Sequence, residues 1–360
     1  MRHPHGLRAA AGAAAGGGGY SGDIAVSHSN APYVSVYPWS PSGFGTKYSD
    51  PSTSIPGLGK DVEFSPDGNA LAVAHYNSPY ISVYHWNQSG TPGFGSKYSN
   101  PATLPTSPGF GVSFSPDGAN IAVSEQSNSP FVTVYPWSSA SGFGTKYANP
   151  AVLPSGGGAD VVFNPSSSVI GVAQGSSPYL SFYSWSSGFG SKYANPSTPL
   201  TPLPSFPYRI NFNPSGNAIA VAHNSSPYIS VYAWSAGFGA KYANPATLPT
   251  SSGYDVTFSP DGTDIAVCDF GTSPVSVYPW SAGFGARYSN PAVTVGTKAD
   301  GVAFTPDGQN IALAHFRNTT SPYVSVYEWT PGVGFGTKYA DPSTAPTGYG
   351  TRVAFSPIVP

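Results

Sequence analysis

Short runs in which apolar and polar residues alternate recur along the whole chain, each bounded by Gly, Pro, Ser and Asn. The unit that starts at Gly253 shows the pattern. Val256 and Phe258 alternate with Asp255 and Thr257, as in a strand with one buried face. The turn "SPDG" follows, in which Pro presets one φ and Gly accepts a positive one. Ile265–Cys268 forms a second strand, "VSVYPW" a third, and "GFGARY" begins a fourth before the Asn290–Pro291 crossover. No stretch carries a sustained 3.6-residue period, and Pro recurs too often for long helices.

The unit repeats. Trp39, Trp86, Trp137, Trp185, Trp234, Trp280 and Trp329 mark it at spacings of 46 to 51 residues, and no Trp lies outside the series. Four short antiparallel strands with a period in the forties are the pattern of a propeller blade. The expected fold is all-β, a single seven-bladed β-propeller over residues 22–360, preceded by a flexible Ala/Gly-rich leader over residues 1–21. In "LAVAH" Leu71 and Val73 oppose Ala72 and Ala74; in "ISVYHW" Ile81 and Val83 oppose Tyr84 and Trp86. One face large and one small suits blades that stack on one another. The last unit stops after "RVAFSP", a first strand, while "GDIAVSHSNAPYVSVYPWSPSGFGTKYSDP" near the N-terminus supplies strands two to four. Pairing them makes the seventh blade and closes the ring.

Composition sharpens this picture. Charged residues are 8% of the chain and the net charge is −2, which gives no electrostatic case for nucleic acid or an anionic membrane. No run approaches the length of a membrane span. Cys268 is the sole cysteine, so neither a disulfide framework nor a thiolate metal cluster is expected. Half of the 14 Lys and Arg residues (Lys47, Lys97, Lys146, Lys192, Lys241, Arg287 and Lys338) fall at one position of the outermost strand, where a charge protects an exposed edge. The second strand ends in His28, His75, Glu125, Gln174, His223, Asp269 or His315. Stacked sheets lie about 10 Å apart, too far for these side chains to share one zinc ion. They read as solvated turn positions, and no metal or cofactor is expected.

The stretch "VEFSPDGNALAVAH" with "ISVYHW", within residues 62–86, and its six counterparts resemble the WD40-like and YVTN-type seven-bladed propeller repeats. The resemblance covers residues 22–357. It departs from WD40 blades in lacking the Gly-His pair and the Trp-Asp dipeptide, so the Asp–His–Ser/Thr–Trp network of those blades is not carried over. It implies a rigid interaction platform and no particular reaction.

Comparison of the units locates the candidate site. The "SPDG" end varies little. At the opposite end, positions just before the first strand's Val and just after the second strand differ from unit to unit, and loops on a rigid scaffold commonly carry binding residues. The candidates there are Lys60, Asp61, Phe110, Glu125, Tyr208, Arg209, Tyr254, Asp255, Phe270, Phe316, Arg317 and Arg352. The leading expectation is a non-catalytic recognition or display module, not an enzyme, that binds a protein or glycan through this face, with membership of a larger assembly open. An extracellular or virion-associated place, of phage or bacterial origin, is favoured over the cytoplasm. Two alternatives stand beside it: a structural decoration protein without a specific ligand, and a lactonase-like hydrolase with a channel site built from Glu125, Arg209, Asp255 and Arg352.

Overall fold

The computed structural model describes residues 19–199, 205–271, 273–293, 298–316 and 322–358. These form seven antiparallel sheets and no helix. The first blade runs Gly59–Phe64, Ala70–His75, Ile81–Asn87 and Gly93–Lys97, in sequence order from the channel outward. Five further blades repeat it. In the fifth, Gly253–Phe258, Asp264–Asp269 and Val275–Pro279 form the sheet, and a single bridge from Trp280 to Phe284 stands where the fourth strand runs elsewhere. The seventh blade joins the two ends of the chain: Gly350–Phe355 pairs with Gly22–His28, followed by Val34–Ser40 and Gly43–Phe44. Tyr20 is buried beside this seam, where its hydroxyl donates to the Ser356 carbonyl at 2.6 Å. Its backbone N–H reaches Asp307 of the sixth blade at 2.6 Å.

The two faces of each blade meet as their residue sizes dictate. Ala70, Ala72 and Ala74 of the first blade, with Ile81 and Val83, pack against Val112, Phe114, Ile121, Tyr135 and Trp137 of the second. Ala218, Ala220 and Ala222 of the fourth take the same place against Val256, Phe258 and Trp280 of the fifth. Short side chains on one sheet make room for rings on the next, so a packed core forms between every pair of neighbours.

Each Trp is held by at least three rings. Trp86 meets Phe64 of its own first strand, Phe94 of its own "GFG" turn, and Tyr48 from the preceding blade, at centroid distances of 5.5, 5.1 and 5.3 Å. All three contacts are edge-to-face. The preceding-blade Tyr recurs at Tyr98–Trp137, Tyr147–Trp185, Tyr193–Trp234, Tyr242–Trp280, Tyr288–Trp329 and, across the seam, Tyr339–Trp39. Asp23 adds a polar clamp, accepting from Tyr48 Oη and Trp86 Nε1, both at 2.8 Å; Asp264 does the same for Tyr288 and Trp329. A second Tyr, on the third strand, pins the crossover: Tyr84 donates to Thr53 O at 2.8 Å and Tyr278 to Thr247 O at 2.8 Å. At the rim, Lys47 and Lys338 turn back onto Asp50 and Asp341, and Lys97 and Lys146 onto Asn100 and Asn149.

The histidines that close the second strands are not solvated. His28, His75, His223 and His315 are fully buried, and each Nε2 lies 2.9 to 3.0 Å from a third-strand Ser hydroxyl (Ser35, Ser82, Ser230, Ser325). The crossover loop folds over this end of the strand and covers it. Burial drives each of the four pKa values down to about 4, so these rings are neutral at physiological pH.

The inter-blade ring contact is measurable in isolation at Tyr242 and Trp280, centroids 5.1 Å apart. A double-mutant cycle of Tyr242→Leu and Trp280→Leu, read by urea unfolding, is expected to give a coupling energy of about 1 kcal/mol. Additive effects would mean that the blades adhere without this contact.

Candidate active site in the central channel

First strands of neighbouring blades touch one another around the axis. The residue before the first strand's Val (Ile210 in the fourth blade) varies around the ring: Asp61, Gly111, Asp160, Arg209, Asp255, Gly301 and Arg352 in blade order. The hydrolase alternative drawn from the sequence had Arg209, Asp255 and Arg352 in the channel, and the structure has them there with Asp61 and Asp160, around a cavity of about 290 Å³. Each Asp is held by the neighbouring blade's backbone. Val112 N–H donates to Asp61 at 3.1 Å, Ile210 N–H to Asp160 at 2.9 Å, and Val302 N–H to Asp255 at 3.0 Å.

Two guanidinium groups organise the charge. Arg209, 5% exposed, places Nη1 2.5 Å from Asp160 and 3.2 Å from Asp61, and its Nη2 donates to Phe110 O at 3.3 Å. It reaches across the second blade because that blade offers Gly111. A Cβ at Gly111 would sit 2.7 Å from Asp160 Oδ1 and 3.0 Å from Arg209 Nη1. Arg352, 9% exposed, donates to Asp300 O, to Thr351 O at 2.7 Å and to Tyr254 O at 3.4 Å. Asp255 and Asp300 lie 3.9 and 3.6 Å from it. The Nε–H of both arginines is buried with no acceptor among the described residues.

A residue that the comparison of units passed over also stands here. Glu63, two positions beyond Asp61 on the same strand, faces the cavity and accepts from Phe114 N–H at 2.9 Å. Its side chain is half-buried. Burial, reinforced by Asp61 and Asp160 and only partly offset by the Phe114 bond, pushes its pKa well above the usual carboxylate range. Burial likewise raises Asp160 to about 6 despite Arg209, and raises Asp255 and Asp300.

The aromatic candidates come together above the channel. Tyr208 stacks on Tyr254 at 4.3 Å, Tyr254 on Phe270 at 3.7 Å, and Phe270 on Phe316 at 4.9 Å. Across the mouth, Lys60 Nζ lies 4.5 Å over the Phe110 ring. Glu125 belongs to neither group. It is buried within the second blade, where its carboxylate accepts from Thr133 Oγ1 and, at 2.6 Å, from Thr106 N–H and Oγ1. It occupies the place that His takes in other blades, and it cannot act in the channel. Arg317 lies outside the described residues. Among the described residues no group of three or more His, Cys, Asp or Glu is arranged to hold a metal ion. A second cavity, of about 1050 Å³, opens at the "SPDG" face among residues such as Asn164, Tyr193, Asn211 and Trp234. Asp117 is the one ionisable carboxylate among its lining residues.

No family model matches the chain. No curated protein matches it either. Solved structures do. A periplasmic gluconolactonase from Pseudomonas aeruginosa superposes with a TM-score of 0.71 at 18% identity, over 95% of this chain and 100% of the other. A protein from Bacteroides uniformis, provisionally named a 6-phosphogluconolactonase, superposes with a TM-score of 0.72 at 14% identity, over 93% and 99%. A similarly named protein from Bacteroides fragilis gives 0.68 at 12%, over 93% and 98%. At these identities the likeness establishes the seven-bladed fold. It also corrects the leading expectation from sequence: neighbours that match end to end carry lactonase names, which tells against a non-catalytic recognition module and against the absence of enzyme activity, and favours the hydrolase alternative. Nothing in the comparisons favours a phage origin.

The role of Gly111 is open to test. Gly111→Ala should push Arg209 off Asp61 and lower stability by about 2 kcal/mol, since overpacking and a disturbed buried ion pair act together. An unchanged urea midpoint would show that the charge network does not depend on that opening.

Proposed function

Given a fold shared with proteins named as lactonases, we propose that this protein is a lactonase-like hydrolase whose reaction centre is the channel. The observation that carries the reading is Glu63, a carboxyl of raised pKa that lines the same channel cavity as two buried arginines. Its 290 Å³ is at the small end of ligand sites, in keeping with a small cyclic ester. Perturbed titratable groups converging in a cleft are the usual mark of a reactive site.

The chemistry follows from these groups. Glu63, when ionised, takes a proton from a water molecule as that water's oxygen bonds to the lactone carbonyl carbon. The developing oxyanion is met by the positive charge of the Arg209 and Arg352 guanidinium groups, both of which line the cavity. The ring C–O bond then breaks, Glu63 returns its proton to the departing ring oxygen, and a hydroxy acid results. A carboxyl with a raised pKa is better matched to both proton transfers near neutral pH than an ordinary one. Because the reactive form is the anion, the rate should climb as pH rises through that raised pKa. The likeness to a periplasmic protein supports a place outside the cytoplasm. No helix among the described residues is long and apolar enough to cross a membrane.

Glucono-1,5-lactone is the first substrate to try, followed against its spontaneous opening. Wild-type protein is expected to accelerate ring opening, and Glu63→Gln to lose about 10²- to 10⁴-fold of that acceleration. Because Gln imitates the neutral acid that the folded state favours, Glu63→Gln should melt no lower than wild type. Folded wild-type protein without acceleration, or a fully active Glu63→Gln, would defeat the proposal.

A further inference from the structure

Resting on the hydrolase reading, we infer that the substrate is a lactone carrying a second, uncharged sugar ring, and that this ring is held in the larger cavity at the "SPDG" face. A layer of side chains screens the channel cavity from the aromatic mouth. Arg209, of the fourth blade, reaches Asp160 of the third, the Phe110 carbonyl of the second and Asp61 of the first. Arg352, of the seventh, reaches the Asp300 carbonyl of the sixth and the Tyr254 carbonyl of the fifth. Two guanidinium groups thus tie all seven blades together across the axis. Lys60, Phe110, Tyr208, Tyr254 and Phe270, on the far side of that layer, do not line the cavity. At its other end the channel cavity adjoins the larger one, since Val162 and Asn211 line both. Asn164, in the larger cavity, lies two residues beyond Val162, about 7 Å along the strand direction. A lactone ring at Glu63 therefore has room for a second ring on this side.

The larger cavity forms where the third and fourth blades depart from the repeat. In the seventh and fifth blades, Asp23 and Asp264 accept from the Tyr of their own blade and the Trp of the next. The third blade has Val169 at that register, and Val169 lines the cavity. Tyr193 and Trp234 line it too, and among the described residues the Tyr193 hydroxyl and the Trp234 indole N–H have no partner. Trp234 is 4% exposed and its ring is fixed by Tyr193, Phe212 and Phe238. The turns change as well. "NPSS" at 164–167 and "NPSG" at 213–216 replace "SPDG", so Ser166 and Ser215 stand where other blades carry Asp67, Asp117, Asp261 and Asp307. The lining residues include one carboxylate, that of Asp117, and no Lys or Arg. An anion would find no cation there. An alkyl chain would leave buried donors unmet, which costs free energy. A neutral sugar ring supplies hydroxyl oxygens to the indole and phenol donors, and its hydroxyls can also pair with the Asn211 amide and the serines.

The test compares glucono-1,5-lactone with maltobiono-1,5-lactone and cellobiono-1,5-lactone on the full chain, each corrected for spontaneous opening. The better of the two disaccharide lactones is expected to exceed glucono-1,5-lactone in kcat/KM by about tenfold or more, because binding of the non-reacting ring is available to the reaction. Val169→Asp restores the acceptor that Asp23 and Asp264 supply elsewhere, occupies Tyr193 and Trp234, and should bring that ratio to about one. Tyr193→Phe, which removes a single hydroxyl, should lower the ratio severalfold. A wild-type ratio of one or less, or a ratio that neither substitution lowers, would overturn the inference while leaving the hydrolase reading intact. If no lactone is turned over, the hydrolase reading fails, and calorimetric titration with maltose and cellobiose decides the cavity independently. Binding that Val169→Asp removes supports a sugar subsite; no binding of either disaccharide, or binding that the substitution leaves unchanged, overturns it.

Discussion

The contact on which the rest of the molecule depends is the Tyr ring that each blade lends to the next blade's Trp. It occurs at all seven junctions, including the seam where the chain's two ends meet. Edge-to-face aromatic pairs contribute roughly 0.5–1.5 kcal/mol each beyond the area they bury. Seven in a closed circuit do more than add up, because no blade can tilt without opening two of them. The Ala-lined faces make the circuit possible by letting neighbouring sheets approach closely enough for the rings to meet.

Adhesion at that radius frees the innermost strands from holding the ring together. Their channel-facing positions can then differ from blade to blade, and they do: Asp, Gly, Asp, Arg, Asp, Gly, Arg. The two glycines are as much part of the site as the charges. Gly111 gives Arg209 its path, and a Cβ at Gly301 would stand 2.8 Å from the Arg352 backbone. A chain of nearly identical repeats thus carries an asymmetric polar centre without disturbing its symmetric shell.

Most of the shell could be read from the sequence, because its determinants repeat. The Trp beat and the strand alternation restate a physical requirement in unit after unit, and the complementary fragments at 22–50 and 351–357 state the closure once. The site was legible only in part. Asp61, Arg209, Asp255 and Arg352 stood out as variable, and the hydrolase alternative already had three of them in the channel, but only the ring geometry shows that Arg209 meets Asp61 and Asp160 and that Arg352 meets Asp255 and Asp300. Glu63 was missed because it alternates with Val62 and Phe64 and so looked like an ordinary outward polar residue of a half-buried strand. The signal was that its counterparts are Ser113, Val162, Asn211, Thr257, Ala303 and Ala354, with no other charge. The buried histidines were taken for turn residues for a similar reason. The Ser that follows seven positions after His28, His75 and His223 was the clue, since each supplies the hydrogen bond that makes burial tolerable.

The central claim, that the channel and not an outer face carries the chemistry, is tested most directly by a crystal structure of the protein with gluconate, the hydroxy acid that ring opening would release. The account requires one molecule in the channel, its carboxylate within hydrogen-bond distance of Arg209 or Arg352 and next to Glu63. Gluconate found only in the larger cavity beside Tyr193 and Trp234, or on the outer surface with the channel empty, would contradict it.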